Sequence, residues 1–331
     1  MKGEQLPADR TEVERRPTGN YGVAISGSDF WADEANQKTL LDSLSGLVAA
    51  TLANLPGIRF LRHIAVHPDV PETIHYWQRE LGLPEIVTSA EQGAVMGKAL
   101  LWGTGDEDST YALLVLSESI AHALVDRSGE LAGCAESTVV HELAHVHDYW
   151  RVRAEIGDVR WPMNNDWGGI QRFLASNAWS EYFAERTAVP FSQAPQLSLE
   201  WSFSKELLGD AVERLQTEIA QFRWHGDTNR LWNCATDQLS NLLNSLGRGL
   251  GAADALGTHD LEPLLDSASL RLEKWLEIAE SAREGLRAMY AQSDWGEDTL
   301  DTICPLVESV FRAAGIVAQQ QGDQLRIDCP W

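Results

Sequence analysis

Apolar positions in the first third of the chain alternate between helical spacing and strand-like runs. Helical spacing covers Leu40 to Leu55 and Pro71 to Leu81, and strand-like runs cover Arg59 to Val66, Val95 to Trp102 and Tyr111 to Leu116. The sequence GTGDEDS, residues 103–109, separates the last two runs and has the composition of a hairpin loop. This part therefore predicts a mixed structure with a small sheet and an antiparallel pair.

The rest of the pattern is mainly helical. Glu136 to Arg153 predicts a strong helix, and the turn-rich WPMNNDWGG leads into a second helix from Ile170 to Val189, where Pro190 stops it. Further helical segments are predicted at 204–223, 228–248, 261–290 and 297–319. The glycine-rich GRGLGAADALG lacks the Gly-Lys-Ser/Thr of a phosphate loop, and we interpret it as a linker between helices.

These patterns together predict an α+β fold with three segments. Residues 1–20 are polar, without periodicity, and are expected to be a loosely ordered leader. Residues 21–198 would form a domain with a small antiparallel or mixed sheet, and residues 199–331 a mainly α-helical C-terminal domain. A length of 331 residues is enough for two such cores.

Composition and charge exclude several classes of partner. Apolar residues make up 44% of the chain and 13 residues are tryptophan, so a packed core is expected. Acidic residues outnumber basic ones by 49 to 26, and the formal charge of -23 would repel nucleic acid and an anionic membrane surface. The N-terminus lacks an apolar signal segment, and no apolar run approaches about 18 residues, so we expect a cytoplasmic protein.

The strongest chemical signal is the sequence HELAH, residues 141–145, within the predicted helix 136–153. Because residues four apart project from one side of a helix, His141 and His145 can direct ring nitrogens at one metal ion. Glu142 lies about 100° further around the helix, where it can reach a metal-bound water as a general base. The spacing therefore predicts a zinc site, and His147 points to a different face of the helix.

A catalytic zinc ion needs a third protein ligand, and the best candidate is Glu181. It lies in NAWSEYFAERTAV, where Glu181 and Glu185 share one helical face. In that arrangement Glu181 would bind the metal, and Glu185 would accept a hydrogen bond from a ligand histidine. Asp148, two turns after His141 on the first helix, and Glu185 itself remain alternatives for the third ligand.

The pattern of HExxH on one helix and ExxxE on the next resembles the gluzincin branch of the zincin metallopeptidases. The resemblance covers about residues 110–190 and implies a zincin-like core, two His ligands, a Glu ligand, a catalytic Glu and hydrolysis of a peptide or protein substrate. The run Tyr111 to Leu116 would then match the substrate-binding edge strand of zincins. Ser180 and Glu185 stand where the gluzincin segment has Asn and Asp, so the subfamily stays open. A small zincin with an added helical domain also resembles the ImmA/IrrE group.

Three functional hypotheses follow from these residues. In the first, the protein is a zinc metallopeptidase with Glu142 as base, and Tyr149, Tyr182 or His225 stabilises the oxyanion. In the second, the same zinc ligands join two helices without catalysis, and the helical C-terminal region is a binding module. In the third, the protein is a helical interaction protein without a metal. Glu142 favours the first hypothesis, because a structural zinc site needs no base.

Overall fold

The computed structural model describes residues 21–82, 96–102, 110–156, 166–192, 197–265, 272–296 and 298–330. The predicted leader, the hairpin loop 103–109 and most of the WPMNNDWGG segment lie outside these residues. The described chain is mainly helical with a small mixed sheet, which agrees with the predicted α+β class. It divides into two compact units, residues 1–150 with 190–195, and residues 151–189 with 196–331.

The first unit contains a four-stranded sheet and the helices that cover it. The helices are α1 (Glu34–Leu52), α2 (Val70–Glu80) and α3 (Glu118–Val125), and the strands are β1 (Gly22–Ile25), β2 (Leu61–His67), β3 (Gly97–Trp102) and β4 (Tyr111–Ser117). The strand order is β1-β2-β4-β3, with β1, β2 and β4 parallel and β3 antiparallel to β4. The predicted antiparallel pair is thereby confirmed.

The expectation that Tyr111 to Leu116 forms the edge strand is wrong. β4 lies between β2 and β3, and β3 is an edge strand of the described sheet. The reason is burial on both faces: every residue from Ala112 to Leu116 is fully buried, as in the continuous apolar strands of a sheet interior. β3 ends the sheet instead, with Gly97 paired to Leu116 and Trp102 to Tyr111.

Helix α4 (Ala135–Glu155) contains the HELAH sequence and confirms the helix predicted at 136–153. Near its first turn, the hydroxyls of Ser137 and Thr138 both donate to the Cys134 carbonyl. Every residue from 139 to 148 is buried, so the helix is covered on its polar face as well as on its apolar one. Polar side chains that are buried in this way need hydrogen-bond or ionic partners inside the protein.

The second unit consists of helices and one hairpin. Its elements are α5 (Trp167–Ala188), α6 (Leu197–His225), α7 (Thr228–Ala255), α8 (Glu262–Leu265), α9 (Leu272–Ala291), α10 (Cys304–Ala313), β5 (Val317–Gln321) and β6 (Gln324–Asp328). The predicted helix at 170–189 is confirmed by α5, which begins where the Asp166 side chain accepts from the Gly169 N–H. The predicted helix at 297–319 is wrong in its last part, because Gly315 has a φ of 94° and the chain continues as the antiparallel pair β5 and β6.

The interpretation of GRGLGAADALG as a linker is also wrong, since these residues continue α7 to Ala255. Helices α5 and α7 approach each other at their backbones. A Cβ added at Gly247 would overlap the carbonyl oxygen of Ala178, and one at Gly251 would lie 2.5 Å from the carbonyl oxygen of Tyr182. Packing against α5 thus accounts for glycines that would weaken an isolated helix.

We expect Gly247→Ala to destabilise the protein by about 2 kcal/mol, because the two helices must move apart and this cost exceeds the gain in helix propensity. Urea unfolding of the purified variant measures the change. The matched control is Gly46→Ala in α1, where an added Cβ meets nothing within 4 Å. That change should stabilise by up to about 1 kcal/mol. Equal effects of the two substitutions would contradict the close packing at Gly247.

None of the described helices combines the length and the apolar character that a transmembrane helix requires.

Candidate metal centre

The two histidines of HELAH are neighbours on one buried face of α4. His141 is 7% exposed and His145 is 3% exposed, and their Nε2 atoms are 3.1 Å apart. Two imidazole nitrogens bound to a tetrahedral zinc ion at about 2.0 to 2.1 Å are separated by about 3.3 Å. The side chains are therefore already arranged close to the geometry of two ligands of one ion.

Glu142 is held next to the edge strand β3. Its Oε2 accepts a hydrogen bond of 2.8 Å from the Ala99 backbone N–H, and the side chain is 8% exposed. Gly97 allows this approach, since a Cβ at that position would lie 2.9 Å from the Glu142 Cγ. Because Ala99 donates to Glu142, its N–H points away from β4, toward α4. The carboxylate thus lies beside the edge of β3 that faces away from β4.

The contact between Glu142 and Ala99 was not foreseen from the sequence. Nothing in GKALLW marks a residue whose backbone N–H faces a carboxylate 43 positions later. Gly97 is the only local hint, because a glycine at the start of a strand often marks a close approach of another group. The contact depends on how α4 packs against the sheet, and a local pattern does not contain that information.

His147 makes a hydrogen bond that contributes to the fold. Its Nδ1 accepts a hydrogen bond of 3.1 Å from the Gly57 backbone N–H, and its side chain is buried. A Cβ at Gly57 would lie 2.7 Å from the His147 Cα, so a glycine is required at this close approach. This agrees with the prediction that His147 points to a different face of the helix from the ligand pair.

Tyr149 is in contact with one of the candidate ligands, as its ring stacks on His145 with the centroids 5.4 Å apart and the planes at 18°. The other two candidates for oxyanion stabilisation have different partners. The Tyr182 hydroxyl donates to Asp254, and His225 Nε2 lies 3.3 Å from Glu218 while its Nδ1 accepts from the Asp227 N–H. Tyr149 is therefore the candidate that touches the HELAH histidines.

A third potential ligand completes the donor set. The ligand atoms of His141, His145 and Glu181 all lie within 4.8 Å of one another, so this group could hold a metal ion. Asp148, the alternative on α4, is buried but does not belong to the group. Two imidazoles and one carboxylate are the donor set of catalytic zinc sites that leave a fourth position for water or substrate.

Glu185, one turn after Glu181 on α5, is nearly fully buried and ionically paired. Its Oε2 lies 3.2 Å from the Arg248 Nε, and the Glu185 side chain is 5% exposed. The hydrogen bond from a ligand histidine to Glu185 stays a prediction.

Comparison with known proteins gives no further information about the site. No family model, no curated protein and no solved structure matches the chain.

Proposed function

We propose that this protein is a zinc-dependent hydrolase that cleaves peptide bonds in a peptide or protein substrate. The observation that carries the proposal is the group of His141, His145 and Glu181, with a fourth residue, Glu142, held beside it on the same helix as the histidines. Three ligands and an adjacent carboxylate outside the ligand set are the parts that a hydrolytic zinc site needs. A zincin-like core and a gluzincin-type ligand set belong to the same proposal.

The proposed reaction assigns one task to each residue. When bound, zinc lowers the pKa of a coordinated water towards about 7 and polarises a carbonyl oxygen. Glu142 takes the proton of the attacking water and returns it to the leaving amine. Glu185 holds one ligand histidine in the required tautomer. The Tyr149 hydroxyl donates to the developing oxyanion.

A peptide is favoured as substrate by the position of the base. Glu142 accepts from the Ala99 N–H, which belongs to the edge of β3 that does not pair with β4. A peptide that lies extended beside this edge would pass its carbonyl groups by the carboxylate.

The alternative is a zinc site without catalysis that stabilises the helices and supports a binding function. The burial of His141, Glu142 and His145, all below 9% exposed, favours this alternative, because a structural site is closed to solvent. The two functions differ in the role of Glu142 and are separated by the substitution argued in the Discussion.

The proposed ligands predict one zinc ion per chain in the purified protein. His141→Ala and His145→Ala should each abolish stoichiometric zinc, and Glu181→Ala should weaken binding strongly, since each change removes a ligand atom. Glu185→Ala should weaken it by about tenfold to a hundredfold through the loss of a hydrogen bond to a ligand. Metal content by mass spectrometry after exhaustive dialysis, and competition with a chelator, measure these effects.

The control for the zinc prediction is His259→Ala, because this exposed histidine follows α7 and belongs to no candidate ligand group among the described residues. It should retain full zinc. Undiminished zinc affinity in Glu181→Ala would remove Glu181 from the ligand set, and a parent protein that binds no zinc at all would defeat the proposed function.

A further inference from the structure

The second unit contains a cluster of arginines around one carboxylate, and none of its members belongs to the candidate metal centre. Asp254, near the end of α7, has a side chain that is 1% exposed. Three guanidinium groups surround it, from Arg186 on α5 and from Arg283 and Arg287 on α9. Tyr182 completes the cluster, and its hydroxyl donates to Asp254 at 2.5 Å.

The oxygens of Asp254 are fully occupied. Oδ1 accepts from Arg283 Nε and Arg287 Nη2, each at 2.6 Å, and Oδ2 accepts from Tyr182 and, at 2.8 Å, from Arg287 Nε. A carboxylate has about four lone-pair positions. Arg186 Nη1 lies 3.6 Å from Oδ2, beyond hydrogen-bonding distance, and donates to the Tyr182 hydroxyl instead.

Two of the three arginines keep donor capacity toward solvent. A guanidinium has five N–H donors. Arg283 uses its three nitrogens on Asp254 and on the carbonyls of Thr258 and His259, and it is buried. Among the described residues, Arg186 donates to Tyr182 alone and Arg287 to Asp254 alone. Their side chains are 26% and 45% exposed.

The charge of the cluster is not balanced by its own residues. Three guanidinium groups face one carboxylate, and the pKa of Tyr182 is raised by burial and by Asp254, so the phenol is neutral. The surplus is two positive charges, both at the exposed side, where Arg186 also lies 3.9 Å from the centre of the Tyr290 ring. A local surplus of this size attracts a dianion.

We propose that Arg186 and Arg287 form a binding site for a phosphate group, with Asp254 and Arg283 holding the two guanidinium groups in place. A phosphate monoester carries about two negative charges at neutral pH and presents three acceptor oxygens, which match the surplus charge and the spare donors. Arg186 Nη1 and Arg287 Nε lie 3.6 Å and 2.8 Å from the same Asp254 oxygen, Oδ2, so the two guanidinium groups are close enough to share one tetrahedral anion. The proposal does not depend on the zinc site.

Isothermal titration of the full chain with inorganic phosphate tests the proposal, and O-phosphoserine forms a second arm. We expect a dissociation constant of about 1 mM or lower, and a raised melting temperature at about 20 mM phosphate. Binding of inorganic phosphate alone would identify a site for the free anion. Binding of both would identify a site for phosphate monoesters. Either result supports the inference.

Substitutions at the two exposed arginines provide the decisive comparison. Arg287→Gln and Arg186→Gln should each weaken phosphate binding by about tenfold or more. Arg287→Lys keeps the positive charge but loses the planar set of donors, so it should bind phosphate more tightly than Arg287→Gln and more weakly than the parent. Arg172→Gln is the matched control, because Arg172 is equally exposed and pairs with Asp301. Equal phosphate affinity in all four variants, no binding by the parent, or the same stabilisation by acetate at equal ionic strength would overturn the proposal.

Discussion

Glu142→Gln is expected to abolish most peptide hydrolysis while zinc content and fold are retained. Glutamine has the size of glutamate, and its amide oxygen can still accept from the Ala99 N–H, so the contact between α4 and β3 persists. The amide cannot take a proton from water at neutral pH. Removal of a positioned general base typically costs about a hundredfold or more in turnover. Cleavage of a mixed peptide library, followed by mass spectrometry, measures the loss without knowledge of the natural substrate.

The matched control is Glu136→Gln in the first turn of the same helix. Glu136 pairs with Arg127 at 3.0 Å on the surface, so its loss should leave turnover unchanged. KM should change little in Glu142→Gln, because the base acts in the transition state more than in substrate binding. If Glu142→Gln cleaves peptides as fast as the parent, Glu142 is not the base. If neither cleaves any peptide with zinc bound, the non-catalytic zinc protein becomes the better description.

The sequence predicted those features of the site that depend on residues close together in one helix. The approach of His141 and His145 follows from their spacing of four on a helix, and any helix containing them would bring their rings together. The contact of Glu142 with Ala99 depends on the packing of α4 against the sheet. The spacing of residues within HELAH does not predict that packing. The position of β3 at the edge is also non-local, since strand order depends on which strand can be buried on both faces.

In the second unit, too, the sequence predicted features within single helices but not contacts between helices. Helical periodicity located α5 and most of α6 and α7, whereas glycine content suggested a break at residues 247–257. The break is absent because Gly247 and Gly251 are where the α5 backbone comes closest, and a pattern within α7 does not reveal its neighbour. The arginine cluster was missed for a similar reason: Tyr182 and Asp254 are 72 residues apart on different helices, and the pattern within one helix does not show which side chains of another helix it meets.

Asp254→Asn is expected to destabilise the second unit by about 3 to 5 kcal/mol, the scale for removing one partner from a buried charged group. The carboxylate accepts from Arg283, Arg287 and Tyr182, so the amide would place an N–H against donors and leave the guanidinium groups without their anion. Urea unfolding at neutral pH measures the loss. Asp301→Asn is the control, because its pair with Arg172 is exposed and should contribute less than about 1 kcal/mol.

The pH dependence of the Asp254 effect has a definite sign. Burial opposes ionisation, but hydrogen bonds from Arg287, Tyr182 and Arg283 outweigh it and hold the pKa of Asp254 below its ordinary value. A carboxylate with a depressed pKa in the folded state stabilises above its unfolded pKa of about 3.9, and the stabilisation is lost as the pH falls through the lower, folded value. The parent should therefore lose stability steeply below about pH 4, and Asp254→Asn should lack this component. Parallel stability curves for the two proteins between neutral and acidic pH would show that Asp254 is not the group responsible.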